Sequence, residues 1–331
     1  RVEGPRAMRT RYGLIYEGRQ AVAIVVAHLL AMPASPSPAD TAWLAPQSKV
    51  YPQQFLICGD FFVGGFHGVA VHPDYPLGTL WPAITEFLER IQRQEAFVPE
   101  RDCVLIKDIP STLACDTQVL RACKFRQLES APAMLLTMPK RWTSYEDYLD
   151  HLNIPHRMGA YRVARDLGRA SVETRRIVYL GPWIQRIHTL FLAVQRKDES
   201  KLASLPTAFP AALTHQLDED SFRCTGLFLG EELVAFVLSL RDRDTAVCYG
   251  LGWDRRRCAG IPVLPALLYA VIDDALSMGC HRIDYGRTAL KAKAQIGAHP
   301  QATATWVQQV GPDGLQRMDV AVAPLSHSPL P

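Results

Sequence analysis

The chain has 331 residues, of which 48 % are hydrophobic and 21 % charged. This globular balance excludes intrinsic disorder, a collagen-like fibre and a coiled coil, and the length suits one large domain or two of about 150 residues. Thirty-six Lys and Arg against 33 Asp and Glu leave a formal charge of +3, too little to imply nucleic-acid binding by itself.

The chain opens on Arg1 rather than Met, so we expect further residues ahead of it. Leu14 to Tyr16, a turn at residues 17–20 and an apolar run from Ala21 predict a β-hairpin. That run reaches Met32, is interrupted by His28, and falls short of the about 20 apolar residues that span a bilayer, so no membrane span is expected. Residues 33–53, rich in Pro, Ser and Ala, read as a loop, and residues 54–58 and 68–71 as strands. Leu80, Ile84, Phe87, Leu88 and Ile91 recur at helical spacing within residues 79–94. A strand at 103–106, a short helix at 118–123 and a strand at 133–137 close the first half.

In the second half Ser144 is placed to cap a helix over 144–152, with Asp147 in the capping-box position. A basic stretch follows from His156 to Arg176, and residues 183–195 and 208–217 read as helices. Residues 227–229 and 233–240 predict a second hairpin, and 245–251 a strand. Residues 263–278 form an amphipathic helix with Gly279 just past its end. Strands at 282–285 and 303–310 complete the reading, and the tail from Gly311 carries no pattern.

The eight cysteines include no Cys-x-x-Cys pair and lie mostly in apolar segments. They read as buried free thiols of a protein in a reducing cytoplasm, not as a disulfide framework or a structural zinc site. There is no Gly-x-Ser-x-Gly elbow, no phosphate-binding Gly-x-x-x-x-Gly-Lys loop and no dinucleotide fingerprint.

Residues 14–26 are similar to residues 227–238, and in both halves the hairpin is followed by a strand, a glycine-bearing loop, a helix and a strand. The order strand, Asp254-x-x-Arg257-x-x-Gly260, helix, strand resembles the core of the GNAT acyltransferase superfamily. The stretch Asp284-Tyr-Gly-Arg287-Thr, followed by Lys293 and Gly297-Ala298, resembles the ending of the double-GNAT proteins related to Fem-type peptidoglycan-bridge transferases. The helix with Arg157, Tyr161, Arg162 and Arg165 resembles the same group. The likeness extends over residues 140–310 in motif and over residues 10–140 in architecture.

The resemblance implies a mixed α/β fold of two tandem GNAT-like domains, each a central mixed sheet flanked by helices. The domains are placed at residues 1–140 and 141–331, with the second catalytic. It implies an N-acyltransferase that joins an activated acyl group to a small-molecule or peptide amine. No cofactor is expected to stay bound. Acyl-CoA is the favoured co-substrate and aminoacyl-tRNA the alternative, which makes tRNA a candidate partner. A degenerate pair that only binds a ligand is the reading from a different class.

Arg257 and Gly260 are the expected contacts to donor phosphates, where loop amides and a helix N-terminus attract an anion. Pro262 departs from the motif because it removes an amide donor. Arg157, Arg162, Arg165 and Arg169 share one broad helix face and suit phosphate oxygens; a solvated basic face partnered by Asp166 has the same spacing. Arg287 and Lys293 follow a strand end, where α/β folds place ligand groups, and are the expected oxyanion stabilisers; ion pairing with Asp284 is the structural alternative. Tyr249 is a candidate proton donor and His67 a candidate base. A half-buried strand tyrosine and a structural histidine are the plain readings of those two.

Overall fold

A computed structural model describes residues 8–31, 54–60, 65, 67–98, 102–113, 117–195, 207 and 209–309. The expected loop at 33–53 and the tail from Gly311 lie outside these residues. The described chain divides into two compact units, residues 8–132 with 301–309, and residues 133–195 with 207–300.

The first unit begins with the predicted hairpin. β1 (Met8–Glu17) and β2 (Gln20–Ala31) pair antiparallel around Gly18, whose φ of 59° suits the turn. β2 then meets two short strands in line, β3 (Gln54–Cys58) along Ala27–Ala31 and β4 (Val69–Val71) along Ala23–Val25. The line is broken where Gly59 donates to the Val26 carbonyl and Gly68 accepts from the Val26 amide. A Cβ on Gly68, at φ 73°, would collide with the Gly59 backbone. α1 (Leu77–Gln94) buries Leu80, Trp81, Ile84, Leu88 and Ile91, the stripe its spacing predicts. The chain returns as β5 (Asp102–Pro110), parallel to β3 from Gln54↔Asp102 to Cys58↔Ile106. α2 (Val119–Ala122) leads into β6 (Arg126–Thr137). β12 (His299–Gln309) lies between β5 and β6 and buries Trp306 in this core.

The second unit takes the end of β6. Its sheet runs in the order β6, β11 (Arg282–Asp284), β10 (Thr245–Trp253), β9 (Glu232–Asp242), β8 (Phe222–Leu229), β7 (Val172–Arg176). The connecting helices are α3 (Tyr145–His151), α4 (Ile154–Arg169), α5 (Ile184–Gln195), α6 (Phe209–Gln216), α7 (Val263–Ser277) and α8 (Leu290–Gln295). α3 starts at a reciprocal capping box between Ser144 and Asp147.

β8 and β9 are buried along almost their whole length because both sheet faces are covered. Leu227, Ala235 and Val237 join α7 in one apolar cluster; Phe222, Phe228 and Phe236 join Ile187 and Leu190 of α5 in another. Leu267, Leu268, Val271, Ile272 and Ala275 make α7 apolar on most of its circumference, as a helix enclosed by protein must be. Each such Leu, Ile or Val contributes about 1.5–3 kcal/mol by leaving water. α5 presses so closely on β10 that a Cβ at Gly252 would sit 2.5 Å from the Leu190 carbonyl. With β3 and β4 taken as one interrupted strand opposite β10, the order β1-β2-(β3,β4)-α1-β5-α2-β6 matches β8-β9-β10-α7-β11-α8-β12, so the repeat legible in the sequence is a repeat of topology.

One carboxyl group is enclosed in this core. Asp274 on α7 is 5 % exposed and accepts hydrogen bonds from the Thr225 and Ser239 hydroxyls, both at 2.8 Å. Burial pushes it up to about 6, while the two hydroxyls pull it the other way. The unfolded chain loses this proton near the ordinary aspartate value of about 3.9. Between about pH 4 and pH 6 the folded form holds one more proton, and stability falls as pH rises through that window. Asp274→Asn is expected to remove that slope and leave Tm at pH 7.5 equal or higher. Thermal melts at intervals from pH 4 to 7.5 check this; a slope unchanged in the variant assigns the effect to another group.

Candidate active site

β10 and β11 are parallel neighbours over only three residue pairs, Thr245↔Arg282, Ala246↔Ile283 and Val247↔Asp284. Beyond Val247, β10 runs on to Trp253 beside β9 alone. The register against β9 slips between Cys248 and Gly250, which leaves Tyr249 as an extra, bulged residue at the point of parting. In parallel sheets such a parting opens a crevice at the carboxyl ends of the strands, where ligands bind.

Lys293 and Asp284 meet there, and Arg287 follows on the link to α8. Lys293 on α8 is 4 % exposed, and its Nζ donates to the carbonyls of Tyr285 at 2.6 Å and Gly286 at 3.2 Å. Gly286, at φ 69°, turns the chain back after β11, and its amide donates to Asp284 Oδ1 at 2.7 Å. Burial pulls Lys293 down to about 8, against the opposing influence of Cys248 and Asp284. Burial likewise pushes Asp284 up, against the Gly286 amide and Lys293. Arg287 stands half-buried on the link from β11 to α8, and burial brings it down to about 10. An ammonium carries three donors. Two of those on Lys293 are held by carbonyls, which leaves one for a developing oxyanion.

Cys248 lies within electrostatic reach of Lys293 and Asp284, but burial pushes its thiol up to about 12. It therefore stays protonated and is a poor nucleophile at neutral pH. Burial also raises Tyr285, whose hydroxyl is spent on the Leu268 carbonyl at 3.0 Å, and Tyr148, whose hydroxyl is spent on the Ile296 carbonyl at 2.9 Å. Tyr249 lies on the sheet face opposite Cys248, away from these groups. Its ring stacks on Phe209, with centroids 5.5 Å apart, against the cluster around α5 and α6.

The loop before α7 spends most of its amides on itself. Asp254 Oδ1 accepts from the amides of Arg256 and Arg257, both at 3.1 Å, and the Asp254 carbonyl accepts from Cys258. Ile261 donates to Cys258, Val263 to Ile261 and Ala266 to Pro262. Pro262 and Pro265 have no amide hydrogen, so the first turn of α7 offers an anion Leu264 at most. Gly260 has open space around it at φ 77°. The Arg257 guanidinium pairs with Glu232; Arg186 bridges Glu232 and Asp254, both at 3.2 Å. Arg257 thus braces the loop against β9.

On α4, Arg157 donates to the carbonyls of Asp150 and Leu152 at the end of α3, Arg165 pairs with Asp166 at 3.0 Å, and Arg162 is exposed. His67 belongs to the first unit. Burial pulls it down to about 4, so it is neutral at physiological pH; its Nδ1 has no hydrogen-bond partner among the described residues, and its carbonyl accepts from Cys58 Sγ.

The first unit has its own parting. β3 and β5 separate after Cys58↔Ile106, and the next residues on β5 are Lys107 and Asp108, 8 % and 0 % exposed. Lys107 Nζ donates to the Asp60 carbonyl at 2.7 Å and lies 3.8 Å from Asp108 Oδ2, which accepts from the Gly65 amide. Sequence reasoning missed this pair. Its one signal is two charges inside the apolar run Val104-Leu-Ile-Lys-Asp-Ile109.

Residues 157–294 match the acetyltransferase (GNAT) domain family. No curated protein sequence matches the chain. Among solved structures, FemX has a TM-score of 0.58 at 11 % identity, over 94 % of this chain and 90 % of that one. L-PGS from Bacillus licheniformis has a TM-score of 0.56 at 10 % identity, over 96 % and 90 %. A tandem GNAT protein from the clavulanic acid biosynthesis pathway has a TM-score of 0.50 at 11 % identity, over 94 % and 86 %. The family match makes residues 157–294 a GNAT-type domain, which supports a transferase with an N-acyltransferase-type function. In fold the chain resembles the tandem GNAT protein and FemX.

Lys293→Met is expected to leave the fold intact and lower turnover by about a hundredfold, the usual loss for one oxyanion donor. Activity that depends on the Lys293 charge falls as pH rises through about 8. Because this lysine is depressed in the folded state, folded-state stability rises between about pH 8 and the ordinary lysine value of about 10.4. The substitution removes that rise. Turnover and melts from pH 6.5 to 10.5 check both limbs.

Proposed function

We propose that the second unit forms an amide by moving an acyl group from an activated ester to an amine at the parting of β10 and β11. The observation that carries this reading is the buried Lys293 ammonium, held by two carbonyls beside the split strands. The amine nitrogen attacks the carbonyl carbon, and the electron pair moves to oxygen. Lys293 and Arg287 stabilise that oxyanion. Its collapse breaks the carbon–oxygen bond of the ester, and the proton lost by nitrogen ends on the departing hydroxyl. Positioning supplies much of the remaining rate. Burial raises Asp284, and its interaction with Lys293 keeps that charge in place.

Aminoacyl-tRNA is the donor this geometry favours over acyl-CoA. A coenzyme A pyrophosphate needs several free amides at the loop and helix start, and here most of residues 256–266 spend theirs internally or are proline, which leaves the amides of Gly260 and Leu264. Arg257 and Gly260 then serve loop geometry, and the acceptor is a small-molecule or peptide amine. Thermal-shift and transfer assays with a charged tRNA, free coenzyme A and an acyl-CoA test the assignment. Charged tRNA is expected to raise Tm, to bind less tightly as salt rises with a steep slope, and to give product. A saturable shift and turnover with acyl-CoA, shallow in salt, reverses the donor. Absence of turnover with every donor overturns the enzyme reading in favour of a binding pair.

A further inference from the structure

α4 has two unlike faces. Ala160 is buried, and Val163 and Leu167 pack on the core beside α7. On the opposite face Ile154, Met158 and Tyr161 are 76 %, 54 % and 50 % exposed. Their spacing of four and then three residues sets them in one stripe along the helix. Solvent-facing positions on a 16-residue helix have no folding reason to carry three large apolar side chains, and such a stripe rimmed by polar groups marks a docking surface.

The rim says what kind of surface docks. Arg157 and Arg162 flank the stripe, and Arg165 and Arg169 continue it toward the helix end; the helix carries four arginines against the single Asp166. Asp166 pairs with Arg165 and Arg169, and Asp150 lies 4.0 Å from Arg157, whereas Arg162 is exposed and has no ion pair among the described residues. Apolar side chains along the middle with arginines on the flanks is the pattern of a helix lying in a membrane interface. The apolar groups enter the acyl boundary and the guanidinium groups reach anionic headgroups. A folded RNA surface gives no partner to Ile154 or Met158. No described helix is long and apolar enough to cross a membrane, so this is contact along a face.

We propose that the exposed face of α4 docks this protein onto an anionic lipid bilayer. The proposal is independent of the acyl donor and of the roles given to Lys293 and Arg287. Co-sedimentation of the full chain with phosphatidylglycerol-containing vesicles, with phosphatidylcholine vesicles as the comparison, tests it. Binding to the anionic vesicles is expected, weakening as salt rises. Ile154→Asp with Met158→Gln is expected to reduce it about tenfold or more, the worth of one buried aliphatic side chain. Asp at the first helical position suits the helix dipole, so this variant keeps its far-ultraviolet circular dichroism and Tm. Arg162→Glu provides a second test and is expected to cut binding to the anionic vesicles alone. Equal binding to both vesicle types, or full binding by the α4 variants, overturns the proposal. So does a wild type that ignores vesicles while the α4 variants change its oligomeric mass or its affinity for tRNA.

Discussion

The second unit is organised by the brevity of one strand pairing. β11 offers β10 three residues of parallel ladder and then leaves it. Whatever lines the gap must satisfy backbone and charge by other means. The turn at Gly286 aims two successive carbonyls at one point, and Lys293 of α8 fills that point with an ammonium. A lysine so deeply buried survives charged only if carbonyl oxygens and a nearby carboxylate replace its lost water. Tyr285, Gly286 and Asp284 supply that replacement. The geometry of the site is thus fixed by backbone, which tolerates less movement than a network of side chains.

The same constraint explains what was legible in the sequence. α1 announces itself because its apolar residues keep helical spacing, and the α3 start because Ser144 and Asp147 cap each other locally; α7, expected to be amphipathic, is instead buried nearly all round because protein encloses it. Gly279 ends α7 at φ 69°, as its position implied. β6 is longer than residues 133–137 suggested, because its opening residues Arg126, Gln127 and Glu129 are polar and do not read as a strand. β5 continues through Pro110, where a proline at a strand end forfeits no interior ladder bond.

The site was harder to read, since its geometry turns on single-residue and long-range events. Tyr249 lies next to the crevice in sequence, but strand alternation after Cys248 sets it on the other sheet face, against Phe209. The role of Arg257 depends on Glu232, twenty-five positions away in the chain, and no motif reports that partner. Lys293 and Arg287 were singled out through family resemblance; the burial of Lys293 was not legible, because it depends on how α8 folds back over β11. In the first unit Lys107 and Asp108 hold the equivalent place after Ile106, so each half keeps buried charge where its parallel strands separate.

β12 adds a consequence for how the chain is made. Trp306 belongs to the core of the first unit, on a strand between β5 and β6, which end far earlier in the chain at Pro110 and Thr137. A ribosome delivers that tryptophan only after the whole second unit has been synthesised. Until it emerges, β5 has an open edge and the nascent amino-terminal half lacks a piece of its own interior. Its maturation therefore waits on the completion of its neighbour, an interval in which an incomplete sheet is exposed to the cell's chaperones.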